Sequence, residues 1–202
     1  MKLHCTGIIL AGGLNTRFSG QDKALIRVGG KRILDRIYEV FSDLFDEIIL
    51  VTNDPIQYLD WDFNIVTDLF SVRSSLTGIH AGLFYATNPH GFFAACDTPF
   101  LKKELIETIL DNIETNYDAI IPEISAGLEP LCAIYSKKCL KRIEQHLAQD
   151  KLKIQLVFQK DRIKKIPESL LLQKDPELLS FFNINTPADL EKAEAILSRL
   201  NN

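Results

Sequence analysis

Three glycines (Gly12, Gly13 and Gly20) and two cations (Arg17 and Lys23) fall within one short run, LAGGLNTRFSGQDKAL, from Leu10 to Leu25. Glycine lets backbone N–H groups approach a polyphosphate without a Cβ in the way and turn inward as an anion nest. Arg17 offers a planar fork for phosphate oxygens, and Lys23 a mobile point charge. The run contains neither GxxxxGK[ST] nor GxGxxG, so neither a P-loop nor a dinucleotide fingerprint is present. The competing reading is an ordinary strand-to-helix connection with exposed basic residues. Its position directly after an apolar strand favours phosphate binding, because open α/β sheets take ligands beyond the carboxyl ends of their strands.

Asp97, in Cys96-Asp97-Thr98-Pro99-Phe100, is the second candidate. It ends the apolar run FFAAC, so its carboxylate is expected at the same sheet edge. A hard oxygen ligand there suits Mg²⁺, which keeps several waters and takes one or two carboxylates plus substrate phosphates. An acid just before Thr-Pro is equally suited to capping a helix, and local sequence leaves both roles open.

Those residues need a scaffold, and its elements are legible. Gly7–Leu10 and Glu47–Thr52 are continuous apolar runs that predict buried strands, and Phe63–Val66 and Phe92–Cys96 predict shorter ones. Between them, Ile33, Ile37, Val40, Phe41, Leu44 and Phe45 recur at helical spacing. Further helices are expected through Ile79, Leu83 and Phe84, and through Leu105, Ile106, Ile109, Leu110 and Ile113. Strands alternating with helices indicate right-handed βαβ crossovers and a Rossmann-like, mostly parallel sheet in a three-layer α/β/α sandwich. After Tyr117 the pattern loosens. Asp118–Pro122 and Leu131–Tyr135 predict strands around Gly127, as antiparallel additions, followed by a helix through Leu140, Ile143 and Leu147. Phe181–Ile184 predicts one more strand. Thr186-Pro187-Ala188-Asp189 then opens a last helix, with Thr186 as its cap.

At 202 residues, 46% hydrophobic and 25% charged, the chain fits one domain, 1–202. A net charge of −4 gives no global attraction to nucleic acid or an anionic membrane. The four cysteines form no zinc or C-x-x-C spacing, and Met1–Leu10 lacks the features of a secretory signal. No apolar run is long enough to span a bilayer, and a reducing cytoplasm is the expected compartment. The four histidines form no metal-binding pattern. The basic residues between Lys137 and Lys165 read as a solvated face.

The loop LAGGLNTRFSGQDKAL, the segment ACDTPFL and the terminal FFNINTPADL together resemble the molybdenum cofactor guanylyltransferase family, among the GT-A-like nucleotidyltransferases. The resemblance runs from Gly7 to about Leu190. It implies an enzyme transferring GMP from GTP to a molybdopterin-type cofactor with Mg²⁺ and release of pyrophosphate, with acceptor molybdoenzymes or their chaperones as further partners. By the same resemblance Leu10, Ala11, Gly12 and Gly13 contact the nucleotide, Lys23 and Arg17 neutralise the triphosphate, and Asp97 holds the metal. Asn53, Asp68 and Gly78 match further nucleotide-binding positions, and Asn183 and Asn185 match asparagines on the acceptor side. Without the resemblance, Asn53-Asp54-Pro55 is also a good turn, Asp68 a surface acid, and Gly78 and Gly82 packing glycines; Asn183 and Asn185 flank a strand end. Phe18-Ser19 replaces the family's usual Met-Gly, and Glu129-Pro130 its common His-Pro. The alternatives are a molybdopterin cytidylyltransferase, another small nucleotidyltransferase, and a nucleotide-binding module without turnover.

Overall fold

The computed structural model describes residues 5–12, 22–158 and 162–201. Gly13 and Arg17, two of the candidate site residues, lie outside them. The strands are β1 (Cys5–Leu10), β2 (Arg27–Val28), β3 (Lys31–Arg32), β4 (Ile48–Val51), β5 (Asn64–Val66), β6 (His90–Ala95), β7 (Ala119–Ile124), β8 (Gly127–Leu128), β9 (Cys132–Ser136) and β10 (Ile163–Pro167). The helices are α1 (Ile33–Leu44), α2 (Ser75–Tyr85), α3 (Lys103–Leu110), α4 (Leu140–Leu147), α5 (Ile154–Val157), α6 (Glu168–Leu171) and α7 (Pro187–Leu200).

The main sheet runs β10-β7-β9-β6-β1-β4-β5, with β8 paired to β7. Strands β6, β1, β4 and β5 are mutually parallel, and β10 is parallel to β7. Strand β9 is antiparallel to both its neighbours. The expected mostly parallel α/β sheet with antiparallel additions is what the chain forms.

Period-2 alternation sorts each strand onto two cores. Along β1, Cys5 and Ile9 join Phe92 and Ala94 of β6 against α1, α3 and α7. The intervening Ile8 joins Phe93 and Tyr135 against α2, α4 and α5. Both faces are covered, so the strands read as unbroken apolar runs. Helix α1 buries Ile33, Leu34, Ile37 and Phe41 along one face, as their spacing requires. Helix α2 is buried on most sides, and Gly82 lets it approach the sheet: a Cβ there would stand 2.6 Å from Ile8 Cγ2.

Three features depart from the sequence expectation. Phe181–Ile184 is not a strand: Leu179–Phe181 forms a 3-10 turn, and Ile184 reaches the sheet through one bond, its N–H donating to the Asp97 carbonyl at 2.9 Å. The run's apolar character reflects packing of Phe181, Phe182 and Ile184 on the core rather than ladder pairing. Strand β10 was not anticipated, because Lys164 and Lys165 interrupt its apolar residues. As an edge strand it pairs those lysines with Glu114 (2.5 Å) and Glu123 (2.6 Å), charges that discourage edge-to-edge pairing. The β2–β3 hairpin was also unforeseen. Gly29 and Gly30 turn it with positive φ (58° and 77°), a conformation that side-chain-bearing residues avoid.

Candidate active site

Strands β1, β4 and β6 end together at one sheet edge, and the chain beyond them remains tied. Ala11 N–H donates to the Val51 carbonyl (2.8 Å), Cys96 N–H to that of Leu10 (3.1 Å), and Thr52 N–H to that of Val66 (2.9 Å). Residues just past these ends are therefore held by the sheet.

Lys23 begins a 3-10 turn whose cap is Asp22, the Asp22 carboxylate accepting from Ala24 N–H at 2.9 Å. The other oxygen of Asp22 accepts a short hydrogen bond from the hydroxyl of Tyr58, a fully buried side chain. Burial, with the Asp22 carboxylate beside it, pushes the Tyr58 phenol well up, so it remains a donor. Tyr58 belongs to the segment after β4, and it locks the end of the glycine-rich loop to that segment. No motif in the sequence marks it.

From this anchor Lys23 Nζ donates to Asp97 Oδ2 at 3.2 Å and to Asn185 Oδ1 at 2.7 Å. Asn185 is fixed in turn by the start of α7, where the Asp189 carboxylate accepts from the N–H groups of Asn185 (3.1 Å) and Thr186 (2.9 Å) in a capping box. The fold thus brings Lys23, Asp97 and Asn185 to one point. Asp97 does not cap a helix: α3 starts at Lys103, with Lys102 at its cap position.

Two cavities adjoin this point. The first, about 300 Å³, is lined by Leu10, Gly12, Lys23, Asn53, Asp68, Gly78 and Asp97 among others. Asn53 and Asp68 hold each other across it, Asn53 Nδ2 donating to Asp68 Oδ2 at 2.8 Å. Asn53 is followed by a 3-10 turn at Pro55–Tyr58, so its turn-forming neighbours and its place in the cavity coexist. Ala11 is buried behind the strand end. Arg73 and the amino end of α2 at Ser74 and Ser75 also line this cavity, and sequence reasoning passed over them. A cation directly before a serine helix cap was the available signal.

The second cavity, about 250 Å³, is lined by Asn183, Asn185, Ser180, Glu129 and Thr98, and shares Ala95, Asp97 and Leu131 with the first. Asn183 lines it without joining the Lys23 cluster. The basic residues between Lys137 and Lys165 line neither cavity among the described residues. Lys160 lies outside those residues. Arg142 and Arg162 instead pair with the buried Asp118 at 2.9 and 2.7 Å.

The donor set bears on what the site can hold. Asp97 and Asn185 present hard oxygens, and among the described residues there is no group of three or more His, Cys, Asp or Glu able to cage a metal. Such a set fits a magnesium ion coordinated mainly by substrate phosphates and water. Cys96 also lines the first cavity, but burial, reinforced by the Asp97 charge, pushes its thiol up and leaves it no nucleophile. Among the described residues no helix is long and apolar enough to cross a membrane.

Comparison with known proteins identifies the family. Residues 7–163 match the family model described as the MobA-like NTP transferase domain. The chain is 47% identical over 192 residues to the molybdenum cofactor guanylyltransferase of Desulfosudis oleivorans, covering 95% of each protein. It is 38% identical to a probable molybdenum cofactor guanylyltransferase of Natranaerobius thermophilus, over 98% of this chain and 99% of that one. Among solved structures, molybdopterin-guanine dinucleotide biosynthesis protein A from Archaeoglobus fulgidus superposes with a TM-score of 0.84 at 31% identity, covering 96% of this chain and 99% of that chain. The chain is therefore a nucleotidyltransferase and belongs to the MobA-like NTP transferase family.

Proposed function

We propose that this protein transfers GMP from GTP to the terminal phosphate of a molybdopterin-type acceptor and releases pyrophosphate. The observation that carries this reading is the meeting of Lys23, Asp97 and Asn185 where two cavities join. GTP would occupy the first cavity and the acceptor the second, which puts the reacting phosphates at their shared wall.

The acceptor's phosphate monoester is largely ionised at neutral pH, its second pKa being about 6. Its oxygen attacks the α-phosphorus in line, the bond from that phosphorus to the β-phosphate oxygen breaks, and pyrophosphate departs. No general base is required, so catalysis rests on position and charge. Lys23 neutralises the triphosphate, assisted by Arg17. The backbone at Leu10, Ala11, Gly12 and Gly13 approaches the phosphates, while Asn53, Asp68 and Gly78 line the nucleoside end. Asn183 and Asn185 face the acceptor. Asp97 would hold Mg²⁺ together with substrate phosphates, and the bound ion supplies further neutralisation of the leaving pyrophosphate. A reducing cytosol is the compartment of this reading, supported by four cysteines that stand unpaired. Its product would pass to molybdoenzymes or their chaperones.

Pyrophosphate release from GTP, CTP and ATP, each with molybdenum-loaded pterin, tests the reading. Turnover with GTP well above the other two is expected. A clear CTP preference would move the protein to the cytidylyltransferases. Tight GTP binding by calorimetry without any pyrophosphate release would make it a binding module.

A further inference from the structure

The second cavity holds a charged group that the proposed reaction does not use. Glu129, between β8 and β9, lines it opposite Ser180, Asn183 and Asn185, with Asp97 also in its wall. The backbone around Glu129 is firmly held. Its N–H donates to the Pro122 carbonyl at 2.9 Å, its own carbonyl accepts from Cys132 N–H at 3.2 Å, and the Tyr135 hydroxyl donates to the Pro130 carbonyl at 2.7 Å. The side chain therefore projects from a rigid platform, as a recognition group should.

Glu129 is half-buried, and its carboxylate has no hydrogen bond or ion pair among the described residues. Partial burial pushes this carboxyl up, as expected for an acid partly shielded from water without a donor. No lysine or arginine among the described residues lines this cavity. A partly desolvated acceptor with no protein partner becomes useful when a ligand that fills the cavity brings the donor.

Resting on the acceptor assignment made above, we propose that Glu129 recognises the N–H edge of the acceptor's 2-amino-4-oxopyrimidine ring. That edge carries two parallel donors, the ring N3–H and the exocyclic amino group. Their spacing suits the two oxygens of a carboxylate, as a guanidinium fork does. The orientation follows from charge. The acceptor's phosphate would meet Glu129 as a like charge, so the ring end lies at Glu129 and the phosphate end toward Lys23 and Asp97. Glu129 is then a specificity-determining residue: it selects a pterin edge that offers two donors and rejects one that offers a carbonyl oxygen in place of the amino group.

Pterin and lumazine are the discriminating probes, since lumazine carries that carbonyl oxygen. Titrations of both with wild-type protein and Glu129→Gln read the contact directly, and steady-state kinetics read its use in the reaction. Wild-type protein is expected to bind pterin at least about tenfold more tightly than lumazine, the range of a hydrogen bond to a charged group. In Glu129→Gln that ratio should fall to within about threefold. The KM for the acceptor should rise about tenfold or more while the KM for GTP and the melting temperature stay unchanged. An unchanged ratio and acceptor KM in Glu129→Gln, or no discrimination by wild-type protein, would overturn the proposal. Failure of wild-type protein to release pyrophosphate from GTP and acceptor would sink the transfer reading instead, and titration with pterin alone keeps the two failures apart.

Discussion

Replacing Lys23 by methionine removes a charge while keeping most of the apolar stem. In the folded protein Nζ sits 3.2 Å from Asp97 Oδ2 and 2.7 Å from Asn185 Oδ1, with 17% of the Lys23 side chain and 18% of the Asp97 side chain exposed. Two unit charges at that separation attract by about 5 kcal/mol at an effective dielectric of about 20. The desolvation of both groups offsets most of this, so the net loss of stability should be about 1–2 kcal/mol. For a chain of this size that lowers the melting temperature by about 2–8 °C. The effect on turnover should be larger. Charge accumulates on the triphosphate during transfer, and removing one preorganised donor typically lowers kcat about 10²–10³-fold, or about 2.7–4 kcal/mol. Pyrophosphate release at saturating GTP and acceptor, well below the variant's melting temperature, separates the two effects. Combining Lys23→Met with Asp97→Asn adds a check: two groups acting on one triphosphate should lose less together than the product of their single losses. A kcat within threefold of wild type in Lys23→Met, whatever the melting temperature, would refute the reasoning and leave the Lys23–Asp97 contact a structural ion pair.

Two further outcomes follow from the packing and the charges. Gly82→Ala should lower the melting temperature, by up to about 8 °C, although alanine favours helix by about 1 kcal/mol. Its Cβ would lie 2.6 Å from Ile8 Cγ2 and 3.0 Å from Phe93 Cε1, both on inner strands that cannot retreat, and overpacking of this kind is destabilising by about 1–3 kcal/mol; a higher melting temperature would show that α2 has room to shift. Asp118→Asn tests the buried ion cluster by its pH dependence. Burial alone would raise the Asp118 carboxyl, but hydrogen bonds from Arg162 and then Arg142 outweigh it and hold the group below the usual carboxylate range. A depressed folded pKa means the stabilisation is complete above the ordinary value of about 3.9 and is lost as pH falls through the folded one. Asp118→Asn should therefore melt lower than wild type at pH 7, and the two melting curves should converge as the pH falls below about 4. Parallel curves across that range would rule the cluster out as a stabilising element.

Much of the scaffold could be read locally because its causes are local. GIIL and EIILV are continuous apolar runs since both faces of an inner parallel strand are covered, and α7 announces itself because Thr186 and Asp189 cap it within four residues. The glycine-rich loop and Asp97 were visible as chemistry at strand ends. Other features were set by distant partners. Phe181, Phe182 and Ile184 pack on the core without joining a ladder, so the apolar run FFNI misled. Strand β10 exists because β7 pairs with it, although two of its five residues are lysines. Whether Asp97 capped a helix or faced a cavity could not be decided from CDTPF; the position of α3, starting six residues later, settled it. Tyr58 locking Asp22 carries no local mark at all, and nothing local shows that the half-buried Glu129 lines the second cavity. The chain's order determined which residue types stand at strand ends, because burial and backbone geometry act over a few neighbours. Only the assembled fold brought Lys23, Asp97 and Asn185 within hydrogen-bond reach across 74 and 162 positions of sequence, because contacts at that separation depend on how crossovers and helices pack rather than on any nearby residue.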